Sequence, residues 1–247
     1  MRRFFVEEVN EQDQSCIITG SEARHMLRVL RMGPGDRLML MDGKGGRFLS
    51  VIESTTRHEV TVILKKSLPQ PPPSPVEIVL CQAVLKSRPM DYMIQKTSEL
   101  GIDHIFPFSS VRSVVRPNIE KQGSKLRHWK EISRSSAKQC GRVVPAEVDP
   151  SSSFSQLTET WKREGGIKAI LWEEEGSRNL KRLLRGFSPA DRFIGMVGPE
   201  GGFDRDEVSK AQDAGFIPVS LGNRILRSET AAITMVAIVQ YEWGDLG

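Results

Sequence analysis

Pro69-Gln70-Pro71-Pro72-Pro73-Ser74-Pro75 places five prolines in seven residues. Proline fixes φ and has no amide hydrogen to donate, so neither a helix nor a central strand can run through this stretch. It is expected to be a semi-rigid linker between two domains, 1–70 and 71–247. A long surface loop would share the composition, but the patterns on its two sides differ. Before it, Arg37–Asp42, Arg47–Glu53 and Glu59–Lys66 partly alternate and are rich in Val, Ile and Leu, as strands of a small β-barrel would be. Ser21–Leu30 reads as a short helix with Ser21 as N-cap, closed by Gly33-Pro34-Gly35. After it, strands and helices alternate. Strands are expected at Glu77–Val84, Ile102–Phe108, Ile167–Glu173, Arg192–Val197 and Phe216–Leu221. Helices are expected at Pro89–Leu100, Asn118–Gly141, Phe154–Glu164, Asn179–Arg185, Asp204–Ala214 and Ser228–Trp243. This alternation predicts an α/β fold with a parallel sheet and helices on both faces.

Composition narrows the classes. A chain of 247 residues that is 38% hydrophobic and 27% charged can bury a core and is too apolar for disorder. The most apolar run, Ala231–Val239, is about half of the roughly 20 residues that span a bilayer. The opening Met1-Arg2-Arg3-Phe4-Phe5-Val6-Glu7-Glu8 turns acidic too early for a signal peptide. Cys16, Cys81 and Cys140 form no CxxC pair, and the four histidines form no ligand cluster. A cytoplasmic protein without membrane segment or metal is therefore expected.

Three loops follow strands where parallel sheets bind ligands. Gly198-Pro199-Glu200-Gly201-Gly202 offers a tight turn with open backbone amides, and Asp204 with Glu207 forms a capping box for the next helix. It lacks a Walker A lysine and GxGxxG spacing, so nothing specific points to ATP or NAD; a plain strand-to-helix turn is the alternative. In Leu221-Gly222-Asn223-Arg224-Ile225-Leu226-Arg227-Ser228-Glu229-Thr230-Ala231-Ala232, Ser228 can cap the helix and Glu229 suits its positive end. Arg227 adds positive charge where the helix dipole is already positive, which hints at an anionic partner. Leu171-Trp172-Glu173-Glu174-Glu175-Gly176 is either a solvated acidic loop or a pocket wall.

Val111–Val143 carries nine Lys or Arg against two acids. Lys130, Arg134, Lys138 and Arg142 recur every four residues and form one stripe, while Trp129, Ile132, Ala137 and Cys140 can pack inward. Arg112 and Arg116 extend the basic run. Arg24, Arg28 and Arg31 share a helix face in the first domain. Like charges at this spacing repel, so a polyanion would stabilise them. Aromatic residues make up only 6%, which favours phosphate and shape recognition over a stacking platform.

Gly198–Phe203 followed by Leu221–Ala231 resembles the paired C-terminal motifs of SPOUT-class RNA methyltransferases, most closely the ribosomal RNA small subunit methyltransferase E family. Lys96-Thr97-Ser98-Glu99-Leu100-Gly101 is similar to that family's K-A-x-E-L-G segment. Ser135-Ser136-Ala137-Lys138-Gln139-Cys140-Gly141-Arg142 is similar to its E-A-x-E-Q-S-G-R segment, with Ser135 and Lys138 replacing acids. His25–Arg31 with Gly35-Asp36 resembles its N-terminal domain. The resemblance spans nearly the whole chain. It implies a PUA-like RNA-binding barrel, then an α/β domain with a C-terminal trefoil knot that binds S-adenosylmethionine. It implies a homodimer that methylates N3 of a uridine in 16S rRNA within the small ribosomal subunit.

Carried over by position, one cofactor wall would be Gly198, Pro199, Glu200 and Gly201. The other would be Leu221, Gly222, Ile225, Leu226, Arg227 and Ala231, with Leu171 and Glu173 at the edge. Arg227 or Arg142 would stabilise the uridine anion and Glu229 would accept its proton. RNA would meet Arg24, Arg28, Arg31, Arg112, Arg116, Lys130, Arg134 and Lys138. Two alternatives stay open: a non-catalytic RNA-binding or ribosome-assembly protein, and a SPOUT methyltransferase acting on tRNA.

Overall fold

The computed structural model describes residues 1–6, 9, 14–115 and 119–247. Arg116 and Asn118 lie outside the described residues, as do the side chains of Glu120 and Lys121. The chain forms two compact units, 1–72 with 137–145, and 73–136 with 146–247.

The first unit is a five-stranded sheet of β1 (Arg2–Phe5), β2 (Ser15–Ile18), β3 (Arg37–Met41), β4 (Arg47–Thr55) and β5 (Val60–Leu68). The order is β1-β3-β4-β5-β2; β1 runs parallel to β3 and the other pairs are antiparallel. Strand alternation divides β3 between two faces. Leu38 and Leu40 join Phe4, Ile52, Val60 and Val62 in the main core. Met39 and Met41 join Phe5 and Ala137 on the other side. The sequence reading missed β1 and β2, which are four residues each and too short to show alternation.

The expected helix at Ser21–Leu30 needs correction. Helix α1 (Gly20–Arg24) starts at Thr19, not at a Ser21 cap, and passes into a π-helical turn, His25–Val29. Ala23 and Met26 are both buried in the core. Arg31 lies beyond the helix with φ 51°, so only Arg24 and Arg28 remain on it. All three arginines are exposed.

The second unit is an all-parallel sheet. Its elements are β6 (Glu77–Ala83), α2 (Ser87–Glu99), β7 (His104–Ser109), α3 (Ile119–Cys140), β8 (Glu147–Val148), β9 (Ser152–Ser153), α4 (Phe154–Lys162), β10 (Ile167–Leu171), α5 (Leu180–Arg185), β11 (Arg192–Val197), α6 (Arg205–Asp213), β12 (Ile217–Val219) and α7 (Ser228–Trp243). The order is β12-β10-β11-β6-β7-β8, with β9 also on β7. Pro218 is tolerated because β12 lies at the edge, where a missing amide breaks no ladder. Alternate residues feed two cores. Ile78, Leu80 and Phe193 pack with Met90 and Ile94 of α2, Leu183 of α5 and Met235 of α7. Val79, Cys81 and Ile194 pack with Leu157 of α4 and Val208 of α6. Helices therefore cover both faces. Gly195 in β11 makes the seating of α7 possible, because a Cβ there would collide with the Met235 side chain. No helix among the described residues is long and apolar enough to cross a membrane.

Two further expectations change. Ser228 does not cap α7; Arg227 holds that position, and Ser228 is the first helical residue. Cys140 is exposed rather than packed inward, at the last residue of α3.

Candidate functional site

In the strand order, the chain leaves β6 toward β7 on one side, while β10 and β12 lie beyond β11 on the other. Such a reversal opens a crevice at the carboxyl ends of the strands. A cavity of about 680 Å³ lies there, walled by the segments that follow β6, β10, β11 and β12.

The loop after β11 is shaped by its glycines. The Gly202 amide closes a turn on Pro199 O at 3.0 Å. Gly202 has φ +70°, and a Cβ there would come within 3.1 Å of Glu173 Oε1. Gly198 faces the Phe203 ring at similar range. Glu200 reaches across so that Oε1 accepts the Lys86 amide at the start of α2, at 3.3 Å. The capping box forms as expected: Asp204 caps α6 while Glu207 accepts the Asp204 amide. Glu207 is almost fully buried and also accepts the Ser110 hydroxyl and the Val111 amide, both at 3.0 Å. That carboxylate ties the loop after β7 to the loop after β11. Arg112 completes the tie, donating to Gly201 O at 3.3 Å and pairing with Asp204 at 3.4 Å.

The opposite wall is the segment from Leu221 to Ala231. Ser228 is buried and donates to Gly198 O at 2.5 Å, while Gln82 Nε2 donates to Ser228 Oγ at 3.0 Å. The start of α7 is thereby fastened to the β11 loop and to β6. Arg227 is exposed and Glu229 half-buried, and both line the cavity. Neither side chain makes a hydrogen bond among the described residues. The third wall is the acidic loop after β10. Glu173 and Glu175 face the cavity, whereas Glu174 pairs with Arg205 at 2.8 Å, so the loop serves as wall and as solvated turn at once. The hydroxyl and amide of Ser177 hold the Glu175 carboxyl below the usual carboxylate range.

The cavity therefore gathers Leu171, Glu173, Gly198, Pro199, Glu200, Leu221, Gly222, Ile225, Leu226, Arg227, Glu229 and Ala231. Gly201 and Arg142 do not line it, and Arg142 falls in the other unit. Sequence reasoning missed Lys86 and Pro89, which also line it, as do Trp172, Glu175 and Arg224 of the loops it singled out. Lys86 follows a strand end, the signal used for the other loops.

The basic stripe is less uniform than expected. Lys138 pairs with Glu22 at 2.7 Å, with both side chains less than one-fifth exposed, so one charge is neutralised internally. Arg142 lies past the end of α3, and neither it nor Arg134 is without a partner. Lys130 is exposed.

Residues 72–240 match the family model described as the RNA methyltransferase domain, and residues 18–65 match the RNA methyltransferase PUA domain. The ribosomal RNA small subunit methyltransferase E of Bacillus subtilis is 26% identical over 98% of this chain and 97% of its own. The structure of the Neisseria gonorrhoeae ribosomal RNA small subunit methyltransferase E bound to S-adenosylmethionine is 31% identical, covers 100% of both chains and superposes with a TM-score of 0.89. A Legionella pneumophila methyltransferase in complex with the same cofactor is also 31% identical, covers 99% and 98%, and has a TM-score of 0.91. By these matches the chain belongs to the RNA methyltransferase family of ribosomal RNA small subunit methyltransferase E.

Proposed function

We propose that this S-adenosylmethionine-dependent rRNA methyltransferase methylates N3 of a specific uridine in 16S rRNA within the small ribosomal subunit. The observation that carries this reading is the carboxyl-end cavity, with Arg227 and Glu229 on one wall.

The residues present fit the cofactor. The volume lies within the range of about 300–1,000 Å³ usual for small-molecule sites. Leu171, Val197, Leu221, Leu226 and Ala231 supply apolar wall, and the glycine loops supply main-chain partners. Glu173, Glu175 and Glu200 supply negative charge suited to a ligand bearing sulfonium and ammonium groups. When bound, S-adenosylmethionine supplies an electrophilic methyl group.

The protein's own part is to make N3 of uracil a nucleophile. The neutral ring holds a proton at N3, and losing it spreads charge onto O2 and O4. Arg227 stands as a fixed cation for that anion, as donors in an oxyanion hole do. Glu229, half-buried in the first turn of α7, accepts the proton directly or through a water it holds. Arg142 does not line the cavity, so the charge-stabilising role falls to Arg227. The cavity walls orient the base and exclude water.

In this reading residues 1–70 are the RNA-binding PUA-like barrel and 71–247 the methyltransferase domain. The C-terminal segment forms a trefoil knot. In support, the chain reaches the edge strand β12 and then returns to fasten Ser228 to Gly198 and Gln82 near β6. The working form is a cytoplasmic homodimer. Tyr92, Ile225 and Tyr241 expose large apolar surface on the methyltransferase unit, as a subunit contact would use.

The test is transfer of radiolabelled methyl from S-adenosylmethionine to small subunits lacking their modifications, with bulk tRNA and free 16S rRNA alongside. The expected product is N3-methyluridine at one position in the small subunit. Label in tRNA alone overturns the substrate assignment. No label and no cofactor binding overturns the reading.

A further inference from the structure

A second cavity, of about 200 Å³, lies at the carboxyl ends of β6 and β7 in the methyltransferase unit. Val84, Val115, Leu126 and Trp129 give it apolar and aromatic walls, with Trp129 almost fully buried. Ser109, Gln122, Lys125 and Ser151 also line it, and their side chains make no hydrogen bond among the described residues. A single residue, Leu85, separates Val84 here from Lys86 on the wall of the first cavity. The loop that follows Ser109 of this cavity, Ser110–Arg112, is held by Glu207, Gly201 and Asp204.

We infer that this cavity holds one unstacked pyrimidine of the RNA beside the target uridine. The inference rests on the reading of the chain as an RNA methyltransferase. Size argues first: an apolar cavity of about 150 Å³ takes one benzene ring, so this one has room for one pyrimidine ring. Chemistry argues second. A pyrimidine presents two flat apolar faces and a polar edge, and sequence-reading of RNA works on splayed bases stacked against aromatic walls. Gln122 offers both a donor and an acceptor to that edge, and Lys125 a donor for a carbonyl oxygen. Charge argues third: Arg127 and Lys130, exposed on the same helix as Gln122, suit the phosphates on either side of the base. The target base goes to the first cavity, where Arg227 and Glu229 lie, so the second is a subsite for its neighbour.

The test uses full-length protein and two exposed-site variants, Gln122→Ala and Gln122→Trp; the latter plugs the mouth. Small subunits lacking modifications are the substrate. KM is expected to rise about tenfold in both variants, with kcat and S-adenosylmethionine affinity unchanged. Because Gln122 is uncharged, the salt slope of binding stays constant. In parallel, 5-fluorouridine monophosphate is titrated and observed by fluorine NMR. Its signal is expected to broaden with wild type and with Arg227→Ala, and markedly less with Gln122→Trp, where only the first cavity stays open. Unchanged KM in both variants overturns the inference. So does fluorouridine binding that is lost in Arg227→Ala and kept in Gln122→Trp, since the base then occupies only the first cavity. Fluorouridine binding that responds to Gln122→Trp in a protein that transfers no methyl would sink the proposed activity and leave the subsite standing.

Discussion

Arg227 combines three properties that rarely coincide in a merely structural arginine. It occupies the N-cap of α7, where the helix dipole disfavours a cation. It lines the cavity and makes no hydrogen bond among the described residues. Arg227→Ala is expected to lower single-turnover methyl transfer by about 10²–10³, the usual effect of losing one charge-stabilising donor. S-adenosylmethionine affinity by calorimetry should change less than about threefold; a loss confined to cofactor affinity would count against the assigned role. Asp149 illustrates a different residue-scale effect. Burial, and then the charge of Glu147, raise its carboxyl above the ordinary aspartate value. A group protonated more readily in the folded state costs stability once pH rises through its raised folded value. Asp149→Asn removes that cost, so Tm should rise at pH 7, and the gain should vanish below the ordinary aspartate range. Thermal melts at the two pH values check this.

Among elements, the loops after β7 and β11 behave as one unit because Glu207 accepts three hydrogen bonds from Ser110, Val111 and Asp204. Glu207→Ala leaves the buried Ser110 hydroxyl and two part-buried amides without their partner, at a cost of about 2–4 kcal/mol. For a chain of this size that is a fall in Tm of roughly 5–10 °C. Glu207→Gln keeps part of the acceptance and should lie between; an unchanged melt in Glu207→Ala would show that the tie does not matter. The capping half of this arrangement was legible, since Asp204 and Glu207 stand at capping-box spacing. The other half was not, because Ser110 and Val111 are nearly a hundred residues away in sequence. Helix ends set by a nearby glycine were also legible: α2 stops just before Gly101, whose φ is +94°. The π-helical turn at His25–Val29 was not, because no local sequence signal distinguishes it from a regular helical turn.

At the scale of the whole molecule, charge is distributed unevenly. The formal net charge is only +4, so RNA affinity must come from local groups. Arg24 and Arg28 are exposed on the first unit and should contact phosphates. The double variant Arg24→Ala/Arg28→Ala should weaken rRNA binding and reduce its log–log salt slope by about 1–2, with cofactor affinity unchanged. Filter binding across salt concentrations reads this, and an unaltered slope would remove both residues from the interface. Light scattering should give a mass near twice 27.7 kDa; a clean monomer at working concentration would refute the dimer.

By itself the sequence determined the alternation that makes a parallel sheet and the segments that wall the first cavity, but not that 137–145 joins the first unit. These are local matters: proline excludes regular structure, hydrophobic period sets strand or helix, and glycine-rich turns follow strand ends. Tertiary structure alone decided which distant groups meet. Ser228 became an anchor rather than a cap because Gly198 O and Gln82 lie against it. Lys138 pairs within the fold because Glu22 lies beside it. A side chain's role depends on its neighbours in space, and spacing along the chain does not reveal them.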